Sequence, residues 1–281
     1  MTIYVSTACL PGKSPLLQRL DDYAAAYLTH VELGAGVEVN HEELASLPWR
    51  CGQKFLIHNY FPPPAEPFVL NLASRSDSIR TRSLDLVCDA LSLSARLEAP
   101  FYSVHVGFIT DPKAFGTTSF EFPMPESPDE TRAAFERFVS SLGQVLAIAR
   151  EQGVQLLVEN NVCPSDLRGK LLLQTPEEFL ELFDVLPDAS LGMLVDMGHL
   201  KVSAQTFGFD CLAGIEKLAP HIRAFHLHDN DGVSDLHWPV RPESWTLEVL
   251  RRAAFATLPI VVEAKFPDVM SLRQHVEWLN M

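Results

Sequence analysis

Basic residues are scarce: 22 Lys and Arg stand against 36 Asp and Glu in 281 residues, a formal net charge of −14. A surface that follows nucleic-acid phosphates needs clustered Lys and Arg, so this balance argues against nucleic acid as a partner. Long apolar runs are missing as well. None reaches the ~20 residues that a membrane-spanning helix requires, and Met1-Thr2-Ile3-Tyr4-Val5 has neither the basic start nor the apolar core of a secretory signal. Cysteine is sparse: Cys9, Cys51, Cys88, Cys163 and Cys211 are odd in number and widely spaced, with no Cys-x-x-Cys pair. Such usage fits a reducing cytoplasm better than a disulfide framework. No low-complexity linker or identity repeat divides the chain, so one domain over residues 1–281 is expected, with a homo-oligomer left open. Disorder is excluded by composition, with 47% hydrophobic and 21% charged residues.

What is present is a rhythm. Short apolar runs at Thr2–Ser6, His30–Leu33, Phe55–His58, Phe101–His105, Val154–Glu159, Leu191–Asp196, Ile222–His226 and Pro259–Glu263 are continuous rather than alternating. Strands buried on both faces of a parallel sheet look like this. Between them lie segments of helical period, such as Leu84, Val87, Leu91, Ala95 and then Phe135, Phe138, Leu142, Val145, Ala149. Ser127-Pro128-Asp129-Glu130 and Thr175-Pro176-Glu177-Glu178 each offer a capping hydroxyl, proline at the first helical position and glutamate at the third. Eight runs in 281 residues give roughly 35 residues per strand–helix unit, the size expected of an α/β (β/α)8 TIM barrel. The competing doubly wound sheet usually carries a Gly-rich phosphate turn after its first strand, and Cys9-Leu10-Pro11-Gly12-Lys13 is not one.

The later runs end alike. His58, His105, Glu159, Asp196, His226 and Glu263 close six consecutive strands. One such residue is ordinarily a cap or a solvated loop group, but six in succession at the C-terminal face of a barrel converge where barrel active sites lie. Crowded imidazoles and carboxylates need protons or a cation for compensation, and a divalent metal is the simplest. Asp196-Met197-Gly198-His199 adds His199 three residues on, with Gly198 read as the residue of a tight turn, and Asp235-Leu236-His237 adds two groups on alternate positions. The nine candidates are thus His58, His105, Glu159, Asp196, His199, His226, Asp235, His237 and Glu263. Such a mixed nitrogen and oxygen set suits zinc or manganese, one to three ions per chain. Glu32, His228 and Asp229 stay open between inward and supporting roles, whereas His30, His41, His221 and His275 read as surface or packing residues.

In order and type, seven stretches resemble the xylose isomerase-like barrel superfamily, in the branch of endonuclease IV-type enzymes and sugar phosphate isomerase/epimerase-like proteins. They are Ile57-His58-Asn59-Tyr60 (with Leu70–Ser74 behind it), Val104-His105-Val106-Gly107, Val158-Glu159-Asn160, Asp196-Met197-Gly198-His199, His226-Leu227-His228-Asp229, Asp235-Leu236-His237 and Val262-Glu263. The resemblance implies a metal core of Glu159, Asp196, His226 and Glu263. It implies a second site at His58 and His105 with Glu159 bridging, and a third at His199, Asp235 and His237. The chain departs from the nuclease pattern at Asn161-Val162-Cys163-Pro164 and at Trp238-Pro239-Val240-Arg241-Pro242.

The reading that follows is a divalent-metal-dependent isomerase or epimerase acting on a small sugar or sugar phosphate through an enediolate. Glu159 and Glu263 move the carbon-bound proton and His199 holds the substrate oxygen. Lys265 and Arg241, with Lys201, are the candidate anion contacts. The alternative is multi-metal phosphoester hydrolysis, which would use the surplus ligands, and a third is a non-catalytic metal-binding protein. Tyr60, Phe61, Phe108, Phe115, Phe120 and Trp238 suggest a covered pocket for a small molecule.

Overall fold

The structure is a computed structural model that describes residues 1–50, 52–115 and 120–281. Cys51 and the side chains of Phe115 and Phe120 lie outside the described residues. Eight parallel strands close into a barrel. They are β1 (Ile3–Ser6), β2 (His30–Leu33), β3 (Lys54–His58), β4 (Phe101–His105), β5 (Gln155–Glu159), β6 (Leu191–Asp196), β7 (Ile222–Leu227) and β8 (Ile260–Val262). Each continuous apolar run of the sequence is therefore a barrel strand, with edges moved by a residue or so. Glu263 falls just past β8, yet its N–H still donates to the Leu227 carbonyl at 3.2 Å, so the ladder carries it. Pairing of Ile3 with Ile260 closes the ring.

Around the barrel run α1 (Leu16–Ala25), α2 (His41–Leu44), α3 (Asp77–Arg96), α4 (Pro128–Gln152), α5 (Pro176–Val185), α6 (Met197–Phe207), α7 (Cys211–Leu218), α8 (Trp245–Leu250) and α9 (Val269–Leu279). In α4 the stripe Phe135, Phe138, Leu142, Val145, Ala149 is buried as its period predicts, while in α3 Leu84 and Ala95 are only half-buried beside a buried Leu86, Val87, Ala90, Leu91 face. Ser127 and Thr175 do precede α4 and α5, but neither hydroxyl caps a helix N–H. The carboxylates act instead: Glu130 and Glu178 accept from the N–H groups of Glu126 at 2.6 Å and Gln174 at 2.5 Å, a charge-assisted bond that a hydroxyl does not match.

Inside the barrel, Tyr4, Leu56, Phe101, Leu157, Leu194, Ala224 and Val261 form a buried apolar cluster of their own, one from each strand except β2. They plug the interior. Side chains alternate with period two along a strand, so the residues two further on share that face. These are Ser6, His58, Ser103, Glu159, Asp196, His226 and Glu263, with Glu32 joining from β2. The plug thus forms the floor beneath a polar layer. The free cysteines Cys9, Cys88, Cys163 and Cys211 take no part in a disulfide, and among the described residues no helix is long and apolar enough to cross a membrane.

Candidate metal centre

Strand register sets the first neighbours. His105 pairs with Glu159 across β4 and β5, and Asp196 pairs with His226 across β6 and β7. Glu159 is the hub: it is fully buried, and its oxygens lie 3.4 Å from His58 Nδ1, 3.8 Å from His105 Nε2, 3.8 Å from His199 Nδ1 and 3.3 Å from His226 Nδ1. His226 Nδ1 is also 3.7 Å from Asp196 and 3.4 Å from Glu263. The third group lies at the mouth, where Asp235 Oδ2 sits 3.4 Å from His199 Nε2 and 3.0 Å from His237 Nε2. All nine sequence candidates are brought together, in overlapping sets whose ligand atoms lie within 4.8 Å of one another.

Supporting bonds aim the imidazoles. Asn160 clamps the end of β6 through both of its amide atoms, at 2.9 Å each, and its carbonyl takes His199 Nδ1 at 2.9 Å. This leaves His199 Nε2 facing Asp235. The Glu263 carbonyl takes His237 Nδ1 at 3.0 Å, so Nε2 again faces inward. Glu32 holds His226 Nε2 at 2.9 Å and directs Nδ1 at the cluster, the arrangement in which a carboxylate fixes the tautomer of a metal-binding histidine. His228 is fully buried, with Nε2 3.0 Å from Asp196, and its ring stacks on His237 at 4.1 Å. Glu32 and His228 were left open by the sequence, and both belong to the cluster. The signal for them was parity: Glu32 stands two residues past His30, whose ring meets Tyr4 of the plug edge-on, and His228 two past His226.

Gly198 has a different reason from the tight turn expected of it. It lies within α6, and a Cβ there would come 2.0 Å from His228 Cε1. The glycine makes room for the imidazole.

The electrostatics are those of a site built around positive charge. Burial opposes ionisation of Glu159, but His105, His226 and His58 outweigh it and hold the carboxyl at about 2. Burial likewise opposes, and neighbouring histidines reverse, the pKa values of Asp196, Glu263 and Asp235, which all lie below the ordinary carboxylate range. His226 and His199 are raised well above their usual value by the carboxylates that override burial. His105 goes the other way, down to about 4, because burial dominates. Buried atoms without a hydrogen bond gather here: both oxygens of Glu159, one each of Glu32 and Asp235, and Nδ1 of His105, His226 and His228. Unpaired buried nitrogen and oxygen atoms, within reach of one another in overlapping sets, fit a divalent cation.

Above the cluster opens a cavity of about 560 Å³ whose wall includes His105, His199, Asp235, His237 and Glu263. Glu159, Asp196 and His226 lie below its lining. No Lys or Arg lines it among the described residues. Of the candidate anion contacts, Lys265 Nζ donates to the Ala8 carbonyl at 2.8 Å, Lys201 pairs with Asp229 at 2.7 Å, and Arg241 is exposed outside the cavity wall. His221 stacks on Phe183, and His275 lies against Phe266 and Trp278, as packing residues do.

The sequence model of the xylose isomerase-like TIM barrel family matches residues 29–280. The chain belongs to this family. Solved barrels superpose over nearly its whole length. A D-tagatose 3-epimerase-like protein does so at TM-score 0.75 and 22% identity, over 100% of this chain and 98% of that one. The protein TTHB071 from Thermus thermophilus, soaked with ZnCl2, follows at TM-score 0.61 and 23% identity, over 96% and 97%. The 3-keto-D-glucoside 4-epimerase YcjR from E. coli gives TM-score 0.71 and 12% identity, over 100% and 99%. At such identities the likeness is one of fold. Among curated proteins, the uncharacterized protein MJ1311 of Methanocaldococcus jannaschii is 26% identical over 168 residues, 60% of this chain and 50% of that protein. This xylose isomerase-like barrel spans about half the length of the curated relatives it matches.

Proposed function

We propose that the protein is a divalent-metal-dependent isomerase or epimerase of a small, uncharged sugar. The observation that carries this reading is the meeting of two ionised carboxylates, Glu159 and Glu263, on His226 Nδ1 beneath a cavity without Lys or Arg. Glu159, Asp196, His226 and Glu263 would hold the cation, with His58 and His105 beside Glu159. When bound there, a divalent ion supplies Lewis-acid polarisation of a carbonyl and its neighbouring hydroxyl. The remaining work falls to side chains. Glu263, which lines the cavity, takes the proton from the carbon next to the carbonyl, and the electron pair moves onto the carbonyl oxygen to give an enediolate. Glu263, now carrying that proton, returns it to a carbon of the enediolate, while Glu159, ionised below the cavity lining, would stay with the cation and the histidines around it. His199 Nε2, aimed by the Asn160 carbonyl, donates to the oxygen on which charge develops. The sugar epimerases among the structural neighbours support the same reading. Without Lys or Arg in the wall, an unphosphorylated sugar suits the cavity better than a sugar phosphate.

A second reading, phosphoester hydrolysis on two or three metals, is favoured by the separate group of His199, His228, Asp235 and His237, which an isomerase does not need. Elemental mass spectrometry of protein purified without chelator, followed by incubation of ketoses with the loaded protein in D2O, separates the two. One ion per chain with deuterium incorporation beside the carbonyl is the expected outcome. Two or three ions, phosphate release from small phosphoesters and no exchange would overturn it.

A further inference from the structure

The mouth of the barrel is divided by strand. The loops after β6, β7 and β8 bring His199, Asp235, His237 and Glu263 to one side of the cavity. The loops after β3, β4 and β5 line the other mainly with Tyr60, Phe68, Phe108, Phe122, Leu167 and Leu171, with Asn59 and Asn161 as its polar groups. We infer that the substrate is a sugar bearing an apolar substituent, aryl or alkyl, whose polar ring meets the metal cluster while the substituent lies along this second wall. The inference rests on the sugar reading above and goes beyond it by naming the class of sugar.

The apolar wall is a built surface. Phe108 and Leu171 form an antiparallel bridge, Ile109 N–H donates to the Lys170 carbonyl at 3.0 Å, and Leu172 N–H to the Gly107 carbonyl at 3.2 Å. Asn71 grips Phe108 at both ends, accepting its N–H at 3.0 Å and donating to its carbonyl at 3.2 Å. Asp111 in turn holds the Asn71 amide at 2.9 Å. The Phe108 and Phe122 rings pack at 4.6 Å, and Tyr60 uses its hydroxyl oxygen to accept the Phe68 N–H at 2.8 Å. A bare sugar presents hydroxyls on every side, and those turned to the apolar stretch of this wall, away from Asn59 and Asn161, would lose water without gaining partners. An apolar substituent makes the opposite exchange, releasing water from a preorganised surface. The cavity of about 560 Å³ lies in the size range of sites that enclose drug-sized ligands, with room beyond a single sugar ring.

The test compares matched methyl and phenyl β-glycosides of glucose and of its 3-keto form, binding to the metal-loaded protein by calorimetry. The phenyl member of a pair should bind about tenfold tighter or more. Phe108→Ala should bring that ratio towards one while the methyl glycoside keeps its affinity within about twofold. Leu167→Asn, at a half-buried position, is the milder variant with the same expected direction should Phe108→Ala fold poorly. Equal affinities within each pair, or a phenyl preference untouched by both variants, would overturn the inference and leave the sugar reading standing. If no glycoside of either kind binds, the inference falls, and the exchange of ketose protons decides the sugar reading separately.

Discussion

Two glutamates in one cluster need not do the same work, and their surroundings separate them. Glu159 has no exposure and is faced by four imidazoles, whereas Glu263 forms part of the cavity wall. Glu159→Gln removes the charge that compensates buried histidines, so the variant should bind metal poorly and lose about 3–5 kcal/mol of stability when loaded with none. Glu263→Gln should weaken metal binding less than Glu159→Gln does, keep its melting temperature and, at saturating metal, lose about 10²–10⁴-fold of proton exchange. Metal analysis and exchange rates measured on both variants check the division. Equal metal loss in the two would erase it. Gly198 gives a second case at this scale. Alanine is intrinsically the better helix former, by about 1 kcal/mol, yet here its Cβ would press into the His228 ring. Gly198→Ala should therefore destabilise by about 1–3 kcal/mol, and the same change made in a His228→Ala background should cost much less, a non-additivity visible in thermal melts.

At the scale of the element, the eight strands and the His and carboxylate groups at their ends were legible because burial on both faces leaves a continuous apolar run and a barrel sends every strand end to one mouth. What escaped the sequence was of another kind. The bond from Glu32 to His226 and the stacking of His228 on His237 depend on chain segments brought together only by closure of the barrel. No local spacing encodes such contacts. The capping of α4 and α5 was half legible, since the glutamates reach back, to the residue before the capping position, but the hydroxyls do not cap. One helix also carries a pH signature of its own. His275 of α9, against Phe266 and Trp278, is held down to about 4 by burial. The unfolded chain, with histidine near 6.5, takes up this proton first. Stability from α9 docking should thus fall as pH drops from about 6.5 towards 4 and level off below. His275→Leu should remove that part of the slope, as read in denaturant midpoints at stepped pH. A variant with the slope unchanged would place the titration elsewhere.

For the whole molecule, the opposed charges of the cluster make metal and proton competitors for the same atoms. In the metal-free state the carboxylates raise His226 well above its usual value, so folding favours its protonated form. A histidine raised on folding contributes stability that is complete below about pH 6.5 and fades as pH rises through its folded value. A metal ligand must be neutral, so uptake of a divalent ion at His226 expels its proton, and affinity rises with pH. Binding to the folded chain alone adds about 2.7 kcal/mol when free metal is a hundredfold above its dissociation constant. The gain in melting temperature on adding zinc or manganese should consequently grow from pH 6 to pH 8, while the melting temperature in chelator declines over the same interval. Calorimetric titration in buffers of different ionisation enthalpy should register proton release on metal binding. A metal-induced shift independent of pH, with no protons released, would mean that the ion binds away from His226. The polar layer above the apolar plug would then be held by its own protons, and the catalytic reading would lose its foundation.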